Sequence, residues 1–126
     1  MRAIDTNVLV RLIARDEPKQ VVRAEAFVEK GAWVSHLVLV ETVWVLDSVY
    51  GLSAEQLALA ISMLLDHAQL SVQDADTARR ALDLFRANPK LGFSDCLILE
   101  TARQHGHRPF ATFDRRLGEL DGAERI

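Results

Sequence analysis

Four acidic residues stand at positions where a carboxylate can do chemistry, and two of them follow predicted strands. Asp5 comes directly after the short predicted strand at residues 2–4, and Asp114 lies two residues beyond the predicted strand at 109–112. In open parallel α/β sheets, binding sites form outside the carboxyl ends of the strands. We therefore expect these two carboxylates to converge.

The other two acids lie in predicted helices. Asp95 falls in the first turn of a helix that begins at Ser94. A carboxylate there also stabilises the helix dipole by roughly 0.3–1 kcal/mol, which is the structural alternative. Glu41 is surrounded by the apolar residues of 37–46, and burying a lone carboxylate is costly unless it is paired, protonated or bound to a metal. Either Glu41 pairs with an arginine elsewhere, or it faces a polar cavity with the other acids.

Carboxylates that lie together repel one another, and a hard divalent cation removes that repulsion. Mg²⁺ prefers oxygen ligands, typically takes one or two carboxylates and keeps several waters. Such an ion polarises a phosphodiester and lowers the pKa of a bound water molecule, which generates a nucleophile near neutral pH. The four acids therefore predict a metal-dependent phosphodiesterase.

The positions of the acids depend on the secondary-structure elements that carry them. Short apolar runs alternate along the chain with longer helical patterns. Strands are predicted at residues 2–4, 32–35, 70–72 and 109–112. Helices are predicted after Asn7, from Pro18 to about Lys30, over 37–49, from Ser53, from Asp74 or Asp76 to Asn88, and from Ser94 to Gly106. This alternation is typical of an α/β domain with a parallel sheet. Since no repeat or linker interrupts it, we expect one domain over residues 1–126.

Two of the helices carry distinct local signals. Residues 37–49 are almost wholly apolar, and their valines favour a strand while their length favours a helix. We predict a buried helix. Ser53 and Gln56 have the spacing of a capping box, which marks the start of the next helix.

The composition excludes several classes of protein. About half of the residues are apolar, which rules out a disordered chain. The single cysteine, Cys96, has no internal disulfide partner, so a reducing compartment fits and we expect a cytoplasmic protein. No apolar run approaches the length of a membrane span, and the charges of Asp5 and Arg11 interrupt the stretch after Arg2, which argues against a signal peptide. We expect no membrane partner.

The charge balance does not point to nucleic acid by itself. Fifteen Lys and Arg residues against eighteen Asp and Glu give a net charge of −3, whereas a dedicated nucleic-acid binder usually shows a basic excess. If four acids belong to one metal site, the rest of the surface is close to neutral. The net charge then does not argue against an RNA substrate.

Four segments resemble the acidic motifs of PIN-domain ribonucleases, in order and over nearly the whole chain. They are Ile-Asp-Thr-Asn-Val-Leu at 4–9, Glu41 in its apolar helix, Phe-Ser-Asp-Cys-Leu-Ile at 93–98 and Ala-Thr-Phe-Asp at 111–114. The compact size and the opening Met-Arg-Ala-Ile-Asp-Thr-Asn resemble in particular the VapC toxins of toxin–antitoxin pairs.

The resemblance implies a parallel sheet of four to five strands flanked by helices, and endonucleolytic cleavage of RNA with Mg²⁺ or Mn²⁺. Asp5 and Asp95 would be the principal metal ligands, Asp114 would complete or water-bridge the site, and Glu41 would ligate the metal or orient its water. Two further positions would support the acids, namely Thr112 through its hydroxyl and Asn7 in the Asp5 loop. The resemblance also favours a helix over 37–49.

The same resemblance implies partners. We expect a homodimer and a cognate VapB-like antitoxin that blocks the site with an inserted basic side chain. The chain departs from the family pattern in one place, because the residues after Asp121 are few and charged, and we expect a curtailed last strand.

Several other residues have both a functional and a structural interpretation. Basic side chains close to the acids in sequence would position RNA phosphates, a role that carries no sequence information, or else are ordinary surface charge: Arg11, Arg15, Lys90, Arg115 and Arg116. Cys96 is interpreted as a small core residue rather than a nucleophile. Trp33 and Trp44 are interpreted as core or interface residues rather than platforms for bases.

Two alternative functions stay open. A PIN nuclease with a housekeeping role in RNA processing would carry the same acids. A receiver-like signalling domain would also bind Mg²⁺ through clustered acids, but it expects adjacent acids after the first strand and a Lys after the last one, whereas here Asp5 is single and arginines follow Asp114.

Overall fold

Six α-helices and four short strands alternate along residues 1–126, all of which the computed structural model describes. The chain divides into two units, Met1–Ala75 and Asp76–Ile126. The elements of the first unit are α1 (Thr6–Ala14), α2 (Pro18–Val28), β1 (Ala32–Val34), α3 (His36–Ser48), α4 (Ala54–Asp66) and β2 (Leu70–Val72). Those of the second are α5 (Ala75–Ala87), α6 (Phe93–Gln104), β3 (Phe110–Thr112), a 3₁₀ turn (Leu117–Glu119) and β4 (Ala123–Arg125).

The strands of the first unit run parallel. β1 pairs with β2, with Ala32 opposite Leu70. The predicted strand at 2–4 forms a single parallel bridge, Ala3 with Trp33, supported by a hydrogen bond of 2.8 Å from the Trp33 amide to the Arg2 carbonyl. Residues 2–4 therefore lie beside β1, and Asp5 follows them as predicted.

The second unit contains the other parallel pair. Phe110 of β3 lies opposite Ala123 of β4, so the last strand is present and is three residues long. A Cβ atom added to Gly118 in the intervening 3₁₀ turn would lie 2.7 Å from the Cβ of Arg125, so only glycine fits where this turn passes β4.

The prediction of a sheet with four to five strands is met in part. Both ladders are parallel, as predicted, but the strands form two ladders of two, one in each unit. Each strand has only three residues and so makes few ladder hydrogen bonds. Most of the regular structure is therefore helical.

Helices supply most of the core. In the first unit α1 packs on α2 and α3, α3 packs on α4, and α4 packs on β2. Leu9, Leu39, Leu46 and Ile61 are among its fully buried side chains. In the second unit the rings of Phe85 and Phe93 meet edge to face with centroids 6.1 Å apart, so α5 and the start of α6 are in contact.

The predicted buried helix at 37–49 is a helix, α3, but only one of its faces is buried. Leu39, Thr42, Val43 and Leu46 are buried, whereas Leu37 is 83% exposed and Trp44 63% exposed. The prediction of burial is therefore wrong for the outer face. A helix that is apolar all round gives no periodic signal to show which side packs.

The helix starts confirm one prediction and correct another. In α4 the Ser53 hydroxyl accepts from the Gln56 amide and the Gln56 side chain accepts from the Ser53 amide, which is the predicted capping box. At α6 the N-cap residue is Gly92 rather than Ser94, which is the second residue of the helix.

No helix of the chain is both long and apolar enough to cross a membrane.

Candidate active site

Each unit carries two of the four predicted acids. Asp5 is the N-cap residue of α1, and its Oδ1 atom accepts a hydrogen bond of 3.0 Å from the backbone amide of Asn7. The contact that fixes the Asp5 loop is thus made by the main chain of Asn7. Because the cap holds Asp5 in extended backbone at the start of the helix, the position of this exposed carboxylate is well defined.

Glu41 lies on the exposed side of α3. The expectation that it is buried among apolar residues, and hence must be compensated, is wrong. Leu37 and Trp44, one helical turn away on either side, are exposed as well. Glu41 therefore remains a candidate because of its place in the motif, and not because burial of its carboxylate would need compensation.

The other two acids meet in one cleft of the second unit. The cleft has a volume of about 590 Å³, and both Asp95 and Asp114 line it. The remaining residues of its wall include three of the five predicted phosphate-binding cations; they are Lys90, Leu91, Arg115, Arg116 and Glu119. The structure thus brings together two predicted acids and three predicted cations.

Asp95 reaches the cleft from the first turn of α6. It is the third residue of the helix and is half-buried. A Cβ atom placed on Gly92 would lie 3.7 Å from its Oδ2 atom, so the carboxylate turns back toward the start of the helix. Free backbone amides and the positive end of the helix dipole stabilise a negative charge there.

Asp114 is held by the turn that follows β3. Its backbone amide donates to the Thr112 hydroxyl oxygen at 3.0 Å, and its Oδ1 atom accepts from the Leu117 amide at 2.8 Å. The Asp114 carbonyl accepts from the Gly118 amide at 3.0 Å. These three bonds fix the turn, and Thr112 contacts Asp114 as a supporting residue would.

The charges of the cleft balance. Three cationic and three anionic side chains line it. One pair, Arg115 and Glu119, approaches to 3.9 Å with both side chains mostly exposed, and such surface pairs contribute little stability. Arg115 is therefore not committed to its partner, and the cations offset the repulsion between the two aspartates.

Arg11 does not have the environment expected of a phosphate contact. Its Nε atom donates to the Gln20 side chain, and its Nη1 atom donates to Asp16 at 2.7 Å and to the Tyr50 hydroxyl at 3.0 Å. Tyr50 in turn donates to the other Asp16 oxygen at 2.7 Å. Arg11 is thus a structural residue that ties α1 to the start of α2 and the end of α3, and Arg15 is likewise paired with Glu25.

The Tyr50 hydroxyl also sets the ionisation of this network. Its hydrogen bond is the main reason that the pKa of Asp16 lies below its ordinary value, and the charge of Arg11 acts in the same direction. The same hydroxyl raises the pKa of Arg11. The network is therefore strongest in the form with Asp16 ionised.

Cys96 is fully buried, which confirms that it is a core residue. Burial raises the pKa of its thiol to about 12, and the charges of Asp95 and Glu100 add to the effect. The thiolate is the reactive form of cysteine, so Cys96 is not a nucleophile.

Two features of the second unit have no counterpart in the sequence predictions. Glu100 of α6 is buried and pairs at 2.6 Å with Arg103, which also donates to the Asp121 carbonyl and so ties α6 to the turn before β4. The i, i+3 spacing of this pair is the signal that could have found it. Phe113, directly before Asp114, is 80% exposed.

Within each unit, the side chains supply only some of the ligands that a hard divalent ion needs. Neither unit by itself gathers three or more His, Cys, Asp or Glu side chains into a metal-binding group. Asp95 and Asp114 nevertheless supply two carboxylates to one cleft, and Mg²⁺ is commonly held by one or two carboxylates with waters completing its shell.

Comparison with known proteins gives the family. The family model described as the PIN domain matches residues 3–123, which takes in both units. The chain therefore belongs to the PIN domain family, whose members are generally nucleases and typically use divalent metals. No curated protein matches the chain as a relative.

The Tyr50 network predicts a pH dependence of stability. Because the pKa of Asp16 is lowered in the folded protein, its contribution to the free energy of unfolding is present above the unfolded pKa and is lost as the pH falls through the folded pKa. Tyr50→Phe removes the main cause of that shift. In urea unfolding, the variant should be less stable than the wild type at about pH 6, and the difference should shrink toward about pH 2.5.

The matched control is Asp16→Asn. It should remove the same pH dependence, and Tyr50→Phe should then add no further pH dependence in the Asp16→Asn background. A stability gap between wild type and Tyr50→Phe that stays constant with pH would contradict this account.

The burial of Cys96 predicts that its thiol is protected. Iodoacetamide at about pH 8 should leave the native protein unmodified and should label one cysteine after unfolding in guanidinium, as read by mass spectrometry. Rapid labelling of the native protein would show that the thiol is accessible and would reopen its role.

Proposed function

We propose that the chain is a Mg²⁺-dependent endoribonuclease, with Mn²⁺ as the alternative ion, and the toxin of a VapBC-type toxin–antitoxin pair. The observation that carries the nuclease proposal is the cleft where Asp95 and Asp114 lie with Lys90, Arg115 and Arg116, in a chain of the PIN domain family. Carboxylates that suit a metal, beside cations that suit phosphates, form a site for a phosphodiester.

Within the second unit, Asp95 and Asp114 would hold the ion. A bound divalent ion supplies charge stabilisation at the phosphodiester and a lowered pKa for a coordinated water. Asp5 and Glu41 are proposed as the remaining acids of the reaction, as ligands or as orienting groups for water. Their support is the match of their motifs, since they lie in the first unit.

The chain's own residues prepare this chemistry before a substrate arrives. The Leu117 amide and the Thr112 hydroxyl fix the Asp114 turn, and the helical backbone of α6 places Asp95 in its first turn. Lys90, Arg115 and Arg116 would bind the phosphates on either side of the bond that is cut, which positions the strand without reading its sequence. Preorganised charges of this kind need little rearrangement during the reaction.

The toxin assignment and the preference for RNA rest on the resemblance of the opening residues and motifs to VapC toxins. A housekeeping RNA-processing nuclease of the same family would use the same cleft. The neighbouring reading frame distinguishes the two, because a short upstream frame for a small DNA-binding protein with a basic tail would indicate the antitoxin.

Exposed apolar surface in the first unit supports the proposed partners, a second copy of the chain and a VapB-like antitoxin. Leu37 and Trp44 project from the outer face of α3. Val22, Leu59 and Met63, also exposed, line a groove of about 910 Å³. Exposed apolar surface of this kind is typical of protein–protein contacts.

The acids give the direct test of the nuclease. Asp95→Asn and Asp114→Asn should each lower cleavage of a labelled single-stranded RNA in Mg²⁺ by at least about a hundredfold, because each removes a ligand charge from the ion. Asp5→Asn and Glu41→Gln should lower it as well. EDTA should abolish cleavage by the wild type.

Two exposed acids serve as matched controls, Asp47→Asn on α3, the helix that carries Glu41, and Asp83→Asn on α5. Both should cleave within about twofold of the wild type, and circular dichroism should show that every variant is folded. Full activity of Asp95→Asn, or cleavage that EDTA does not stop, would refute the proposal.

The homodimer has a separate test. Sedimentation equilibrium should give about twice the chain mass of 14.1 kDa, since the apolar side chains left exposed on the isolated chain favour association. A mass of one chain at micromolar concentration would contradict the dimer and leave the nuclease proposal standing.

A further inference from the structure

The Phe113 ring is presented to solvent by a backbone that is fixed on both sides. The side chain is 80% exposed. Thr112 before it belongs to β3, and its carbonyl accepts from the Ile126 amide at 2.9 Å. Asp114 after it is held by the Thr112 hydroxyl and the Leu117 amide. Since both neighbours are anchored, the ring is displayed from a defined position.

In the sequence, Phe113 directly precedes three residues that line the cleft. The next three residues, Asp114, Arg115 and Arg116, all line it. Phe113 is not itself a lining residue, but its backbone is within three residues of both arginines, so a strand whose phosphates bind Arg115 and Arg116 can bring a base to the exposed ring. Single-stranded nucleic acids are bound elsewhere by this combination of a cationic groove and an aromatic platform.

Two other exposed or half-exposed aromatic rings, those of Trp44 and Phe27, lack this setting. Trp44 has Glu41 and Asp47 one helical turn away on α3, so its surroundings repel phosphates. Phe27 is already covered by the Arg2 guanidinium, which lies 3.7 Å from the ring centroid. Phe113 alone of these three combines an open ring with neighbouring cations.

We propose that Phe113 is a stacking platform for an unpaired base of a single-stranded substrate, next to the phosphates bound by Lys90, Arg115 and Arg116. This inference rests on the proposed function, and it adds a residue that contacts a base of the substrate. A stacked base must be unpaired and splayed from its neighbours, so Phe113 selects single strands over duplexes. Every base has a flat face, so the ring tolerates any sequence.

Binding of a fluorescent single-stranded RNA, measured by anisotropy in EDTA so that no cleavage occurs, tests the platform. Phe113→Ala should raise Kd about tenfold, and Phe113→Trp should keep Kd within about twofold. Phe113→Leu retains apolar bulk without a ring and should behave like the alanine variant. Leucine that binds like the wild type would overturn stacking as the interaction.

The salt dependence separates a stacking residue from a phosphate-binding one. Phe113→Ala neutralises no phosphate, so the slope of log Kd against log salt should equal that of the wild type. Arg115→Gln with Arg116→Gln should reduce that slope by about 1.4, since each cation bound to a single strand contributes about 0.7. A reduced slope in Phe113→Ala would show that the substitution had disturbed the cations and would overturn the proposal.

Duplex RNA and single-stranded DNA complete the experiment. Binding of the duplex should be the same for Phe113→Ala and the wild type, while single-stranded DNA should lose affinity as RNA does. An unchanged Kd for single-stranded RNA, an equal loss on the duplex, or failure of the wild type to bind any of the three would overturn the platform. An unchanged Kd would leave Phe113 as a contact for a protein partner.

Cleavage in Mg²⁺ is scored separately, so the two proposals fail in different ways. If the wild type cleaves RNA and Phe113→Ala binds it with unchanged Kd, the platform is wrong and the nuclease stands. If Phe113→Ala loses binding as expected but the wild type does not cleave, the platform stands and the nuclease is wrong.

Discussion

Two carboxylates in one cleft repel each other, and the second unit holds them there through its backbone. Asp114 cannot move away, because its amide, its carbonyl and one carboxylate oxygen are all engaged in the turn after β3. Asp95 is stabilised by the start of α6. The close passage of Gly118 against Arg125 keeps the same turn on β4. The main role of the short strands in this unit is therefore to hold the turn that carries Asp114.

The cations of the cleft can offset the acids beside them, and they can also attract phosphates. While no ion is bound, Lys90, Arg115 and Arg116 offset the three acids that share the wall with them. A bound divalent ion would shift the balance toward positive charge, and the same cations would then attract phosphates more strongly than they do without the ion. Local balance explains why a net charge of −3 is compatible with a nucleic-acid substrate. The charge that matters is that of the cleft and not that of the chain.

The sequence predicts what is encoded locally and misses what depends on packing. The Ser53 cap and the turn after Asp5 are local, and both are found. The exposure of Glu41 could not be predicted, because an all-apolar helix does not show which face packs. The structural role of Arg11 could not be predicted either, since it depends on Tyr50, 39 residues away. The convergence of Asp95 with Asp114 is expected from the hypothesis of a shared metal site and from the family resemblance, but their separation along the chain gives no geometry.

The outer face of α3 links the proposed partners to the proposed chemistry. Leu37, Glu41 and Trp44 lie four and three residues apart, so they share one side of the helix, and all three are exposed. A partner that covers the two apolar side chains therefore also covers the carboxylate. Burying Glu41 without a counter-charge costs free energy, so a partner that brings a cation to it would bind more tightly than one that does not. A basic side chain in that position would neutralise a proposed catalytic acid, and inhibition would then be a direct consequence of covering the apolar surface.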